Sequence, residues 1–325
     1  MLDIFSIFVY NVVTPPRWRK NEIDKLNTER HKTMTSTNQS LHIARNAKNG
    51  EFFIIRDEVA VEMPHYVKHL KGKKVYIPNT KLTTELAQND AFARYFFTSS
   101  MMAKFGIKEL SYSYYDAVGN FVLITMTAHG ITKEITNAAD DDSRLFNVCK
   151  QIDKVDVVIG NPEGNKIDDL FRYIVLSKKD YILCVNKLFA SHSIFYNYYS
   201  KGMIKFGYNT PKKFWDVENE KIARPTSMWI TSFDNGYSPD FLKTHYTFDS
   251  YAYEKFDNCD AISVDCVKMI PMDFKGVMGI PVTIAPFLNL KQFELVGFRK
   301  GDDNKDLRVK GKDTHCRFLI RFRNI

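Results

Sequence analysis

The segment DVVIGNPEG, residues 156–164, joins a short apolar run to polar groups that can bind an amino group. Asn161 follows the run, and Pro162 stops it because proline has a fixed φ and no N–H. The residue before a proline is held in an extended conformation. The carboxamide oxygen of Asn161 and the carbonyl oxygen of Pro162 could therefore accept both hydrogens of one amino group. The alternative is a plain strand-ending turn, since Asn-Pro is a common turn signal.

Strands and helices of one sheet must position this segment. Short runs rich in β-branched and aromatic residues predict strands at 73–78, 108–116, 121–130, 155–160, 180–186, 227–233, 277–287, 292–298 and 316–323. Helical patterns lie at 58–71, 86–105, 143–152 and 166–177, and Pro64 must lie near a helix end or kink the first of them. The alternation predicts an α/β fold with a mostly parallel sheet. Ligands bind at the carboxyl ends of such strands, where Asn161 falls.

Composition and charge narrow the class of protein. The chain has 325 residues, of which 44% are hydrophobic and 26% charged, so it can bury one large core or two ordinary ones. The formal net charge of +8 favours a polyanionic partner, nucleic acid first, because basic side chains release the counterions of phosphates. The alternative is a merely basic surface.

The cysteines indicate the cellular compartment, and the N-terminal segment indicates whether the chain enters a membrane. Five cysteines, none at Cys-x-x-Cys spacing, argue against a disulfide framework and a structural zinc site and favour a reducing, intracellular compartment. The apolar segment 1–13 is too short to span a bilayer and lacks the features of a signal peptide. We therefore expect no membrane association. We also expect residues 1–40 to be an N-terminal extension, of which the first 33 contribute little to the core.

Basic and aromatic residues alternate in YNTPKKFW and ARPTSMW, within an irregular region between residues 210 and 270. Basic side chains can hold phosphates while aromatic rings stack on bases. The predicted DNA contacts are Lys212, Lys213, Trp215, Arg224 and Trp229. The alternative is a hydrophobic cluster with a solvated rim.

Several longer segments resemble the EcoRI-type family of adenine-specific DNA methyltransferases, from about Leu41 to Arg323. The strongest matches are KFGYNTPKKF (205–214), MWITSFD (228–234), YEKFDNCDAISV (253–264) and DFKGVMGIPVTIAPFLNLKQFELVG (273–297). The ending CRFLIRFR resembles the family's closing strand, and NAKNGEFF resembles the segment that packs on the cofactor. The spacing from DDSR (141–144) to DVVIGNP (156–162) equals the family's spacing from Gly-Asp-Phe-Arg to Asn-Pro-Pro-Phe.

The resemblance implies a Rossmann-like, class I S-adenosylmethionine-dependent methyltransferase sheet with a C-terminal DNA-recognition region. Residues 41–209 would form the catalytic core, and residues 210–325 the target-recognition region and closing strands. The implied activity is site-specific methylation of adenine N6 in double-stranded DNA, as in a restriction-modification system. Such an enzyme must flip the adenine out of the stack to reach N6. The oligomeric state stays open, with a monomer favoured.

The resemblance also implies roles for individual residues. Asn161 and Pro162 would bind the exocyclic amine of adenine as the catalytic pair. Asp142 matches the acid expected near the adenine of the cofactor, or it is a helix N-cap. Phe52 and Phe53 match an aromatic pair near the methyl donor, or they are core residues. The predicted cofactor contacts are Phe52, Phe53, Tyr76, Asp142 and Asn161.

Three motifs depart from the family pattern. Glu163 and Gly164 replace the Pro-Phe half of Asn-Pro-Pro-Phe, and this removes an aromatic ring whose stacking on a base is worth roughly 1–3 kcal/mol. Thr80 and Lys81 stand where the family has acidic residues at the donor site, and EFFI lacks the family's Tyr-Thr pair. These departures predict weak binding of S-adenosylmethionine.

Two hypotheses about activity follow from these departures. The chain is a working methyltransferase in which another aromatic residue supplies the stacking, or it is a catalytically inactive homologue. An inactive homologue would act as a DNA-binding or site-protecting protein. The retained Asn161 and Pro162 discriminate poorly between the two, so the sequence leaves enzymatic activity open.

Overall fold

The computed structural model describes residues 52–79, 90–116, 118–137, 141–162, 166–216, 220–234, 236 and 238–323, with the backbone alone for residues 141–144. The predicted N-terminal extension lies outside these residues. So do Thr80 and Lys81 at the predicted donor site, and Glu163 and Gly164 after the Asn-Pro turn.

Strands and helices alternate over the first half of the described chain. The strands are β1 Phe52–Ile54, β2 Lys74–Pro78, β3 Glu109–Tyr115, β4 Phe121–Thr127, β5 Gly130–Thr136, β6 Val157–Gly160, β7 Asp180–Asn186, β8 Lys205–Phe206, β9 Phe214–Asp216, β10 Lys221–Ala223, β11 Ser227–Thr231, β12 Ala261–Ser263, β13 Val277–Pro281, β14 Phe293–Phe298, β15 Arg308–Val309, β16 Lys312–Asp313 and β17 Arg317–Phe322. The helices are α1 Arg56–Glu62, α2 Val67–Leu70, α3 Ala91–Phe96, α4 Ser99–Phe105, α5 Asp141–Ile152, α6 Ile167–Leu176 and α7 Ser193–Tyr199. Single 3₁₀ turns lie at Met63–Tyr66, Lys187–Ser191, Val267–Met269 and Val282–Phe287.

The largest element is an eight-stranded mixed sheet with the order β5-β4-β3-β2-β6-β7-β11-β8. Its centre is parallel, because β3, β2, β6 and β7 run in the same direction. Its flanks are antiparallel, so the expectation of a mostly parallel sheet is wrong outside the centre. On the β4 flank the reason is loop length: β3 and β5 reach β4 through short turns, and short turns join only antiparallel strands.

Both faces of this sheet are covered, which explains why its central strands are apolar without alternation. In β6, Val157 and Ile159 pack into a core that includes residues of α1, α3 and α4. Val158, between them, packs into a second core that includes residues of α5, α6 and α7. The fold is therefore a mixed α/β fold with the large sheet between two layers.

A second sheet of four strands, with the order β12-β13-β17-β14, adds to the core on the α7 side. The Tyr199 hydroxyl of α7 donates to the carbonyl of Ala285 at 3.1 Å and so ties the two parts together. The predicted strand at 277–287 ends at Pro281 and continues as a 3₁₀ turn. Strand β11 joins the large sheet although it lies beyond residue 209, where the catalytic core was predicted to end.

Local signals explain how the helices begin and break. The predicted helix at 58–71 is interrupted by the 3₁₀ turn that contains Pro64, as its fixed φ requires. The described part of the pattern predicted at 86–105, from residue 90 onward, forms two helices, because Thr98 is extended and caps α4 by accepting from the N–H of Met101. Asp90 caps α3 by accepting from the N–H groups of Phe92 and Ala93, both at 2.9 Å. Across the described ranges, no helix is long and apolar enough to span a lipid bilayer.

Glu62, the last residue of α1, is a fully buried carboxylate that joins distant parts of the chain. Its Oε1 accepts from the Tyr66 hydroxyl at 2.8 Å and from the N–H of Tyr208 at 2.9 Å. Its Oε2 accepts from the N–H of Asn209 at 2.9 Å and from its Nδ2 at 3.0 Å. These bonds offset the cost of burying the charge. Gly207 permits this approach, since a Cβ there would collide with the carboxylate.

Replacing Glu62 by leucine should lower the free energy of unfolding by about 3 kcal/mol or more, because two backbone N–H groups lose their acceptor. The melting temperature should fall by roughly 6–12 °C, at about 2–4 °C per kcal/mol. Urea denaturation of wild type and variant measures the change. As a control, Glu109→Ala breaks a partly exposed ion pair with Lys74 and should cost under about 1 kcal/mol. Equal losses in the two variants would contradict the role given to Glu62.

Candidate active site and nucleic-acid interface

The strand order reverses between β2 and β6. From β2 the chain builds outward through β3, β4 and β5, and it then returns to place β6 on the other side of β2. The crevice outside the carboxyl ends of strands at such a reversal is the usual ligand site of an open α/β sheet. Asn79 follows β2 at this edge, and Asn161 follows β6.

Asn161 is held at the end of β6 by two hydrogen bonds to backbone groups. Its Nδ2 donates to the carbonyl of Cys184 in β7 at 2.9 Å. Its Oδ1 accepts from the N–H of Ile54 in β1 at a long 3.4 Å. The carboxamide orientation is therefore fixed with Nδ2 towards the sheet. A carbonyl-type oxygen has two lone pairs, so Oδ1 can accept a second hydrogen bond from a ligand.

A narrow pocket lies beside Asn161 at the strand reversal. The residues that line it include two aromatic rings, two carboxamides and one carboxylate: Phe53, Ile54, Asn79, Asp90, Phe92 and Asn161. The Asn79 Nδ2 donates to the Tyr112 hydroxyl at 3.2 Å and lies 3.5 Å from the Asp90 Oδ2. Burial raises the pKa of Tyr112 well above its usual value, so this hydroxyl keeps its proton at neutral pH. The pocket thus combines flat apolar surfaces with a fixed polar network.

The structure brings together only part of the predicted cofactor set. Phe53 lines the pocket with Asn161, whereas Phe52 packs against the core on the α1 side. Tyr76 is fully buried in the core on the α5 side, with its hydroxyl 2.6 Å from the Ser113 Oγ. Asp142 lies in the first turn of α5, and its side chain is outside the described atoms.

A basic cleft of about 330 Å³ forms a second candidate site. Three predicted DNA contacts line it, Lys212, Lys213 and Arg224, and Lys187 lies with them. Within the described residues, none of these four cations forms an ion pair with a carboxylate. The cleft therefore gathers four cationic side chains that can attract an anion such as a phosphate.

The two predicted tryptophans have different environments. Trp215 in β9 is 41% exposed and lies two residues after Lys213 of the cleft. Trp229 in β11 is 1% exposed and packs edge-on against Phe92, at a ring distance of 5.9 Å. The structure thus places Trp229 in the core, because both faces of β11 are buried: Trp229 packs on the α1 side, and its neighbours Met228 and Ile230 pack on the α7 side.

The cleft and the Asn161 pocket share one structural element, β1 and the residue after it. The N–H of Ile54 donates to Asn161, and the N–H of Ile55 donates to the carbonyl of Lys213 at 3.4 Å. Glu58 in α1 adds to this link, because its carboxylate accepts from the N–H groups of Lys212 at 3.1 Å and Lys213 at 3.2 Å. The cations are thus positioned next to the pocket by backbone contacts.

Residues of these sites that the sequence motifs did not predict include Asn79, Asp90, Phe92 and Lys187. Asn79 and Lys187 each come directly after a predicted strand, and that position was a usable signal. Asp90 comes from a capped helix start that periodicity did not separate from the longer pattern. Burial lowers the pKa of Lys187, whose Nζ lies 5.0 Å from the centre of the Phe287 ring.

Comparison with known proteins decides the family. The sequence model of the family described as "Adenine-specific methyltransferase EcoRI" matches residues 131–319, more than half of the chain. The chain belongs to this family. Membership confirms the resemblance inferred from the sequence motifs, and the matched range contains Asn161, Lys212 and Trp215.

Relatives across the methyltransferase family are similar over most of their length. The chain is 26% identical to "Type II methyltransferase M.EcoRI" of Escherichia coli over 324 residues, which cover 88% of this chain and 97% of the relative. It is 27% identical to "Type II methyltransferase M.MpnI" of Mycoplasma pneumoniae, over 78% of this chain and 83% of the relative. It is 25% identical to "Type II methyltransferase M.MgeORF184P" of Mycoplasma genitalium, over 87% and 98%. No solved structure matches this chain significantly.

Replacing Asn161 by aspartate should destabilise the fold at neutral pH by about 1–3 kcal/mol, because a carboxylate oxygen would then face the Cys184 carbonyl without a proton between them. Asn186 offers a matched control at the end of the neighbouring strand. Its Oδ1 accepts from the N–H of Leu188, so Asn186→Asp keeps that cap and should be nearly neutral. Urea titrations of both variants test this. A neutral Asn161→Asp would show that the carboxamide is not fixed as described.

Proposed function

We propose that this chain is a site-specific DNA methyltransferase that transfers a methyl group from S-adenosylmethionine to N6 of adenine in duplex DNA. The observation that carries the proposal is the fixed carboxamide of Asn161, at the strand reversal and next to a basic cleft. Family membership and the names of the relatives support the same chemistry. The alternative is an inactive homologue that binds or shields DNA; the altered residues Thr80, Lys81, Glu163 and Gly164 motivate it, but family membership and the names of the relatives do not favour it.

The fold part of the proposal is a Rossmann-like, class I methyltransferase sheet. It is supported by the parallel centre of β3, β2, β6 and β7 and by the crevice at the reversal of strand order. The division into a catalytic core and a target-recognition region from residue 210 is part of the same proposal. The exposed side chains of Lys212, Lys213, Trp215 and Arg224 support it.

The pocket residues suit the chemistry of S-adenosylmethionine. Phe53 offers apolar surface for an adenine ring, and Asp90 and Asn79 offer oxygens for hydroxyl or ammonium donors. When bound, the cofactor supplies a methyl group on a positively charged sulfur. The residues that would hold it in this proposal are Phe53, Asn79 and Asp90.

Asn161 and Pro162 act on the adenine amine in the proposed mechanism. The Asn161 Oδ1 and the Pro162 carbonyl accept the two N–H groups, which orients the amine and leaves the nitrogen lone pair for attack on the methyl carbon. Because Asn161 Nδ2 is bonded to Cys184, Oδ1 keeps its position without reorganisation when the amine arrives. Formation of the new N–C bond would be matched by cleavage of the bond between the methyl carbon and the sulfur, and the amine would then release one proton to solvent water.

The basic cleft contributes affinity for the DNA backbone. Lys187, Lys212, Lys213 and Arg224 line it, and phosphate contacts of this kind position a duplex without reading its sequence. Because the cleft adjoins β1 and Asn161, phosphates bound there would lie next to the nucleotide whose amine reaches Asn161.

The decisive experiment is methyl transfer from labelled S-adenosylmethionine to mixed-sequence duplex DNA by the purified chain. We expect N6-methyladenine in the digested product and saturable cofactor binding in calorimetry. Asn161→Ala should lower the rate at least about 100-fold, by analogy with the loss of one transition-state hydrogen bond. Asn186→Ala, at the neighbouring strand end, should retain the rate. DNA binding without cofactor binding or methyl transfer would instead support the inactive homologue.

DNA affinity should fall steeply with salt. If about six phosphates are contacted, the logarithm of the association constant plotted against the logarithm of salt concentration should have a slope near −5, at about 0.9 per phosphate. The double variant Lys212→Gln/Lys213→Gln should reduce this slope by roughly 1.8. Lys133→Gln, on the exposed edge strand β5, is the control and should leave it unchanged. Fluorescence anisotropy with a labelled duplex measures both. A slope that is unaffected in the double variant would remove the cleft from the interface.

A further inference from the structure

Three apolar side chains form a row across the small sheet of β1, β9 and β10. Trp215 in the middle strand pairs with Phe53 on one side and with Ile222 on the other. Directly opposed residues of antiparallel strands place their side chains on the same face, with Cβ atoms about 4.5–5.5 Å apart. Phe53, Trp215 and Ile222 therefore make one continuous apolar row.

Most of this row is open to solvent. Trp215 is 41% exposed and Ile222 is 49% exposed, whereas Phe214 and Asp216, which flank Trp215 in the chain, are buried. A tryptophan and an isoleucine that lie side by side at the surface expose apolar area to water, which is unfavourable. Such exposed apolar groups often mark a binding site. Because side chains alternate along β9, Trp215 points to solvent, whereas Phe214 and Asp216 point into the protein.

The surroundings of the row indicate what it binds. At one end, Phe53 lines the pocket of Asn161. Just before β9, Lys212 and Lys213 line the basic cleft. A ligand that reaches from the cleft to Asn161 therefore carries anionic groups and a flat apolar part, and a nucleotide of a DNA strand has both. Stacking of a base on an aromatic ring needs no particular base sequence.

We propose that Trp215 supplies the stacking surface for the flipped adenine, the task that the family resemblance gives to an aromatic residue where this chain has Gly164. This inference rests on the proposed function. Of the aromatic residues that line the pocket, Phe92 is 1% exposed and packs on Trp229, so it offers little surface to a base. Trp215 is large, exposed and held by backbone pairing on both sides.

The test compares Trp215→Ala with Trp215→Phe at saturating S-adenosylmethionine. The target site is first located by mapping methylated adenines in DNA treated with the wild-type chain. Loss of one stacking contact corresponds to roughly a 5- to 150-fold loss of flipped-base occupancy, so Trp215→Ala should lower the methylation rate by that factor. Trp215→Phe keeps an aromatic ring and should retain most of the rate.

A second substrate separates stacking from a general structural defect. A mismatched target adenine costs less to flip, so the defect of Trp215→Ala should shrink on a duplex with a mismatch at the target. Cofactor affinity should stay within twofold of wild type. Leu176→Ala, which removes a 68% exposed side chain at the end of α6, is the matched control and should behave as wild type on both substrates.

The outcomes of this test distinguish the two proposals. If Trp215→Ala methylates the matched duplex within twofold of wild type, or if its defect is the same on the mismatched duplex, the role of Trp215 is overturned. The proposed function would survive either result. If the wild-type chain neither binds S-adenosylmethionine nor methylates DNA, the proposed function fails, and the role of Trp215 fails with it.

Discussion

The end of β6 is the constraint on which the candidate site depends. Pro162 stops the strand, and Asn161 then joins β7 through the Cys184 carbonyl and β1 through the Ile54 N–H. One carboxamide thus fixes three segments that are far apart in the sequence at the carboxyl edge of the sheet. A small pocket can form there because the chain reverses its strand order between β2 and β6 and leaves a crevice. The position of Asn161 follows from topology, and its orientation follows from hydrogen bonding.

Two glutamates of α1 fix the backbone of the segment that leads into the basic cleft. Glu62 binds the backbone of Tyr208 and Asn209, and Glu58 binds the backbone of Lys212 and Lys213. Both carboxylates accept from backbone N–H groups, and neither forms an ion pair with the ammonium groups of the cleft within the described residues. The negative charge of the helix therefore shapes the loop while the lysine side chains remain available for an external anion.

The sequence predicted the central strands and the position of Asn161 well, because β2, β6 and β7 are short apolar runs with sharp ends. It did not predict the direction of the flanking strands, which depends on turn length, or the three-residue strands β1 and β9, which are too short to show a period. The burial of individual side chains was predicted least well from the sequence. Motif position alone could not show that Tyr76 and Trp229 point into the core, since their strands are buried on both faces by layers that come from distant parts of the chain.

In the proposed function, the alternation of side chains along β9 explains how the chain can lack an aromatic residue after Asn161 and still present a ring for stacking. A stacking ring need not come from the segment after Asn161, because any strand whose alternation exposes an aromatic residue at the pocket edge can present one. In β9, buried Phe214 and Asp216 fix the strand, and their burial forces Trp215 outward beside Phe53. In this proposal, the exposed ring of Trp215 takes the place of the aromatic side chain that Gly164 lacks. In this proposal, β9 of the neighbouring sheet presents the aromatic ring that the sequence after Asn161 lacks.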